Sequence, residues 1–312
     1  MITAIIDGHK LASVGLRELK RCLAFTLNHG PELPLKERVA VGARFFLYGS
    51  IPEFDDDPDN LYPLHEEAQV LRPFLDEGRF LELFYPIPDK KPSELALPVH
   101  QNESYLRCPW SGICLEMSEA AINSNELTFD LVPIFSVVVT TARVMAACIA
   151  ETPLLLIGPP GIGKSKIVEA VATRMGVKSS DPQENSWFRV NLSTNSTLEQ
   201  LIGTTEPVCE DNKRMFRWRN GVILDALERN AWLLLDEINL APPEVLDGIA
   251  ALLNPDVESF TVPTTGKVIP LVQDGKRRLR VFGAMNPASI GGGRNRLPQS
   301  IESLFTTVKL AH

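Results

Sequence analysis

Three short stretches of this 312-residue chain combine residue types at spacings that could do chemistry. The first is Gly158-Pro159-Pro160-Gly161-Ile162-Gly163-Lys164-Ser165, glycines at fixed offsets followed by a lysine and a hydroxyl. Glycines let successive backbone N–H groups turn inward on an anion, and a helix opening at the end of such a loop adds its positive dipole end. In that setting Gly158 to Gly163 form a phosphate cradle. Lys164 pairs with the β- and γ-phosphate oxygens of ATP, and the Ser165 hydroxyl ligates Mg²⁺. The second stretch is Asp236-Glu237, delivered by the apolar run 231–235. Asp236 suits Mg²⁺, directly or through water. Glu237 suits the orientation and deprotonation of a water attacking the γ-phosphate. Alone, such a pair equally fits a helix N-cap; downstream of a phosphate loop it points to hydrolysis. The third is Asn286-Pro287, after a strand-like run at 279–284. If these strands are neighbours, Asn286 falls between Asp236 and Lys164 and holds the water by hydrogen bonds. Without the other two motifs it reads as a plain turn.

These residues need elements to position them. Leu154–Ile157 is a continuous apolar run, as a strand buried on both faces requires. After the loop, Ile167, Val168, Val171, Ala172 and Met175 recur at helical spacing, and Gly176 supplies a C-cap. From residue 131 onward strands alternate with helices, which predicts an α/β fold with a parallel sheet flanked by helices. A small, mostly helical region precedes it. There Leu11, Val14, Leu16, Leu19, Cys22, Leu23, Phe25 and Leu27 form an apolar stripe, a second helix is expected at 35–48 and a third at 64–84. The acidic stretch 53–59 lacks EF-hand spacing and reads as a solvated loop. Residues 86–130, rich in Pro, Ser and Asn, read as a linker with one strand-like patch near 114–117.

Composition narrows the function. Formal charge is −8, from 31 Lys+Arg against 39 Asp+Glu, which argues against a generic nucleic-acid coat. The longest apolar candidate, 137–150, is interrupted by Thr140, Thr141 and Arg143, so no membrane span is expected. Asp7 follows the first apolar residues too early for a secretory signal. Five scattered cysteines fit free thiols in a reducing compartment, and five isolated histidines make no metal-binding pattern. Lys213, Arg214, Arg217 and Arg219 surround Trp218, and Lys276, Arg277, Arg278 and Arg280 form a second basic group. Either could contact nucleic acid; in an acidic chain a solvated hairpin is the plainer reading.

The order GPPGIGKS, LLLDEINLAPPEVL, FGAMNP resembles that of AAA+ ATPases, in the clade of midasin, dynein and MoxR-like proteins. Residues 190–203 are similar to midasin-like modules, 215–227 after them resemble the hairpin-plus-helix insert of those modules, and 282–300 resemble their loop after the sensor strand. The hairpin expected at 261–270 is, on this resemblance, a possible pore-facing element. The resemblance covers 131–310 and implies a P-loop NTPase fold, Mg²⁺-dependent ATP hydrolysis with Glu237 and Asn286 as catalytic residues, and neighbouring modules in a ring as partners. It further implies a pre-ribosomal large-subunit particle or another protein complex as substrate, with no sequence-specific nucleic acid and no membrane, in the nucleus. A ring module without turnover and a MoxR/McrB-like cytoplasmic ATPase stand as alternatives. Upstream, 14–25 looks like a lid helix of a preceding module, so that 1–85 is that lid, 86–130 a linker and 131–312 a large domain ending before its own lid. Arg17 then serves another module's nucleotide, or is an exposed residue on an amphipathic helix. One departure stands out. Leu304 lies where midasin-like modules carry an arginine that reaches the neighbour's γ-phosphate, with Arg294 and Arg296 as the nearest substitutes. This module is therefore expected to bind nucleotide without serving the adjoining site.

Overall fold

The computed structural model describes residues 16–29, 33–47, 97–101, 105–109, 111–117, 131–132, 134–177, 187–210, 213–287 and 296–310. Expectations for Leu11, Val14, the loop 53–59, the helix 64–84 and Arg294 fall outside them. Two compact units emerge: 1–152 with 166–176 and 306–312, and 153–165 with 177–305.

In the first unit, α1 (Leu16–Asn28) is followed by α2 (Leu35–Gly42), which runs into a π-helical turn at Ala43–Leu47. The apolar residues of α1 lie on two opposite faces. Cys22 and Phe25 are buried with Arg21 and Thr26, while Leu16, Leu23 and Leu27 are 72%, 44% and 69% exposed. At ~100° per residue, positions 22, 25 and 26 face away from 16, 23 and 27. The face that packs is thus the one bearing the aromatic ring, set by contacts with α2 and the π turn. β1 (Val99–Gln101), β2 (Tyr105–Arg107) and β3 (Cys114–Glu116) form an antiparallel sheet in sequence order. The single strand-like patch expected near 114–117 is its third strand.

Helix α3 (Phe135–Ile149) carries the longest apolar stretch. The hydroxyls of Thr140 and Thr141 donate to the carbonyls of Ser136 and Val137 at 2.6 and 2.7 Å, which lets both side chains be buried. No helix among the described residues is long and apolar enough to cross a membrane. This helix belongs with the upstream elements: Asn28 Nδ2 donates to the Ile149 carbonyl at 3.1 Å, and the Arg143 guanidinium lies 5.9 Å from the Phe45 ring. Helix α3 accordingly falls in the first of the two compact units.

After α3 the chain forms β4 (Leu154–Ile157), and α4 (Lys164–Arg174) starts at the end of the glycine loop. Then come β5 (Trp187–Asn191), α5 (Leu198–Leu201), the hairpin β6 (Gly203–Glu210) and β7 (Lys213–Asn220), α6 (Val222–Glu228) and β8 (Trp232–Asp236). Next are α7 (Pro243–Leu253), β9 (Ser259–Thr261) paired with β10 (Val268–Pro270), and β11 (Val272–Gln273) paired with β12 (Lys276–Arg277). β13 (Arg280–Met285), α8 (Gln299–Glu302) and β14 (Thr306–Lys309) close the chain. The central sheet runs β14-β4-β13-β8-β5, with β4, β13, β8 and β5 mutually parallel. Leu155, Leu233, Leu235, Val281 and Met285 are buried against α7 and the segment leading to Phe305. Burial of consecutive strand residues is what sheets covered on both faces require. The architecture is the expected α/β one, a parallel sheet flanked by helices.

Candidate functional site

Strand order brings the three motifs together. β13 lies between β4 and β8, with Met285 opposite Ile157 and Ala284 opposite Asp236. The residues that follow each strand, Gly158, Asn286 and Glu237, therefore emerge side by side at the carboxyl end of the sheet, the edge where α/β folds bind ligands. Asn286 was expected between Asp236 and Lys164; its side chain bonds Lys164 on one side and Glu237 on the other. Lys164 Nζ donates to Asn286 Oδ1 at 2.8 Å, and Asn286 Nδ2 donates to Glu237 Oε1 at 2.5 Å.

Each site residue has a local cause. Gly161 and Gly163 adopt φ of +82° and +88°, which only glycine takes without strain, and a Cβ built on either meets nothing within 4 Å. The space beside these two glycines is open, which suits the approach of phosphate oxygens. Lys164 is 8% exposed, and its ammonium also donates to the carbonyls of Gly158 and Pro159 at 2.6 and 2.8 Å. Ser165, in the first turn of α4, donates from Oγ to Asp236 Oδ2 at 3.0 Å. A hydroxyl oxygen and a carboxylate oxygen in contact are hard donors of the kind Mg²⁺ takes. With the open glycine loop and the lysine beside it, the residues present fit a Mg²⁺-nucleotide. Glu237 sits at φ +53°, the left-handed region, between β8 and the 3₁₀ turn Ile238–Leu240. That conformation costs a non-glycine residue about 1–3 kcal/mol and recurs where function fixes a side chain. The Glu237 N–H donates to Asp236 Oδ1 at 3.1 Å, which ties the two acidic residues to each other.

Two residues that the sequence did not single out complete the network. Asn239 is buried and donates from Nδ2 to the Asn286 carbonyl at 3.0 Å, bracing the end of β13. Arg189, on β5, bonds Asp236 Oδ2 through Nε and Nη2. Its signal was a basic residue two positions before the end of a strand, legible only once β5 is known to lie beside β8.

Leu304 is 6% exposed and packs in the core with Leu297, Ile301 and Phe305. The residue in the finger position is thus a structural apolar one. Arg296 is exposed. The basic hairpin β6–β7 carries Phe216 at 78% exposure, and Arg219 pairs with Glu206 at 2.9 Å. All five cysteines are free thiols, and no cluster of three or more His, Cys, Asp or Glu that could hold a metal occurs among the described residues.

Comparison with known proteins agrees with this geometry. Residues 153–305 match the AAA domain of the dynein-related subfamily. Over 166 residues the chain is 36% identical to midasin of Dictyostelium discoideum, and over 166 residues 38% identical to midasin of Giardia intestinalis. Each match takes in 53% of this chain and 3% of the relative, so the chain spans a small fraction of those proteins. The aerobic cobaltochelatase subunit CobS of Sinorhizobium sp is 27% identical over 158 residues, 49% of this chain and 42% of that one. The matched segment holds the phosphate loop, Asp236, Glu237, Asn286 and Leu304 together. The segment 153–305, just under half of the chain, is thus similar throughout to the AAA domain of the dynein-related subfamily.

Proposed function

We propose that this chain binds ATP with Mg²⁺ at residues 158–165 and hydrolyses it as one module of a ring that remodels large-subunit ribosome precursors in the nucleus. The observation that carries the catalytic part is the unbroken side-chain line from Lys164 through Asn286 to Glu237, with Ser165 bonded to Asp236 beside it. Lys164 delivers a buried ammonium that donates to the neutral oxygens of Gly158, Pro159 and Asn286; phosphate oxygens are stronger acceptors than these. Ser165 and Asp236 would hold Mg²⁺, which when bound would supply neutralisation of phosphoryl charge. Asn286 fixes the orientation of the Glu237 carboxylate, so that the base does not have to be found by rotation. Glu237 then takes the proton of the attacking water.

Similarity to the two midasins supports the ring and its ribosomal substrate, which extend well beyond the segment compared. In the same reading 1–85 are the lid of a preceding module, 86–130 a linker, and Arg17 serves the preceding module's nucleotide. Because Leu304 is a core residue, the module supplies no arginine from that position to its neighbour.

Titration of a fluorescent ATP analogue against wild type and Lys164→Ala tests the binding step. Loss of affinity in the variant is expected, since the lysine is the only formal positive charge in the loop. Equal dissociation constants would sink the assignment.

A further inference from the structure

Asp236 already meets a cation. Arg189 donates through both Nε and Nη2 to Oδ2 of Asp236, the former at 3.2 Å, and the Ser165 hydroxyl donates to that same oxygen at 3.0 Å. The other carboxylate oxygen is taken by the Glu237 N–H. The two groups assigned above to Mg²⁺ therefore converge on the one oxygen that a guanidinium holds. Sheet register accounts for the contact. Asn191 is opposite Asp236 and Arg189 opposite Leu234, so the long arginine side chain runs along β5 to the end of β8. The Arg189 side chain is 51% exposed and that of Asp236 13%. The guanidinium can thus withdraw into water with little loss of hydration, whereas the carboxylate stays where β8 puts it.

We propose that Arg189 is a positioning residue for the metal: its guanidinium holds Asp236 against Ser165 and competes with Mg²⁺ for the same carboxylate oxygen. The proposal rests on the nucleotide reading above. A monocation and a divalent cation repel at one oxygen, and a half-exposed ion pair is weak enough to be exchanged. While the metal is away, the guanidinium keeps the carboxylate from turning toward Lys164. When Mg²⁺ arrives with nucleotide, the guanidinium leaves. Arg189 in this way sets the Mg²⁺ concentration at which the site loads.

The test is a Mg²⁺ titration of fluorescent ATP-analogue binding by the full chain as wild type, Arg189→Gln and Arg189→Lys, at low and high salt. Removing the competitor should lower the half-saturating Mg²⁺ by roughly two- to fivefold in Arg189→Gln, the scale of an exposed ion pair. Arg189→Lys keeps the charge and should stay near wild type, and the difference should shrink at high salt. Analogue affinity in excess chelator should be alike in all three. The same or a higher half-saturating Mg²⁺ in Arg189→Gln, or identical behaviour of the Gln and Lys variants, overturns the proposal and leaves the nucleotide reading standing. Wild type that takes up no analogue, or uptake that survives Lys164→Ala, overturns both.

Discussion

Polar side chains form hydrogen bonds in both compact units, but with different partners. In the upstream unit they bond to backbone. Thr26 Oγ1 donates to the Cys22 carbonyl at 2.8 Å, Asn28 Nδ2 to the Ile149 carbonyl at 3.1 Å, and His29 Nε2 accepts the Cys114 N–H at 3.1 Å. At the sheet end of the other unit, Ser165 bonds Asp236 and Asn286 bonds Glu237, and Lys164 bonds Asn286 as well as two loop carbonyls. A bond from a side chain to backbone braces the local fold, whereas side chains gathered at a sheet end can exchange their partners for a ligand of the right charge. Polar bonding upstream therefore reads as stability, and at the sheet end as function. A third pattern lies between them: Leu297, Ile301, Leu304 and Phe305 belong to the site's unit yet are wholly apolar and packed.

Substitutions can break or sharpen this contrast. The largest stability effect is expected at Leu304→Arg. An arginine there is buried without a partner, and the fold should lose about 3–5 kcal/mol in urea unfolding. A stable variant that raises hydrolysis at an adjoining site would restore the finger reading of that position. Asn286→Leu should act mainly on turnover. Losing the donor that orients Glu237 should slow hydrolysis about 10²–10³-fold, with stability reduced by about 1–3 kcal/mol as Lys164 loses an acceptor. His29→Phe should do the reverse. It orphans a buried N–H at Cys114 and should cost about 1–3 kcal/mol by thermal unfolding while leaving nucleotide affinity unchanged.

The smallest effect concerns Cys22. Burial pushes its thiol up from 9.0 to about 12, with a hydrogen bond to Thr26 acting weakly the other way. Below pH 9 both folded and unfolded chains keep this proton, so its contribution is constant. Between pH 9 and about 12 the unfolded chain releases the proton and the folded one does not, and stability falls as pH rises. In the native protein Cys209, which is exposed, should react with a thiol reagent while Cys22 stays protected. Equal labelling of the two would show that the α1 interior is open.

The phosphate loop, both acidic residues and Asn286 were legible because each follows an apolar strand, and strand-end chemistry is written in contiguous residues. Arg189 and Asn239 were not, since their roles depend on which strands and turns become neighbours. In α1 apolar residues occupy two faces, and only tertiary contact chooses Cys22 and Phe25 over Leu16, Leu23 and Leu27. Leu304 was legible as a departure from a resemblance; its place in the core required the packing of α8 and Phe305.

Glu237→Gln tests the central claim most directly, measured as ATP binding and phosphate release by the full-length protein. An amide keeps the shape and the contact region of the side chain but cannot take a proton from water. Binding should match wild type while release falls about 10²–10⁴-fold. Release at the wild-type rate, with binding intact, would contradict the account and leave Glu237 a residue of the turn after β8.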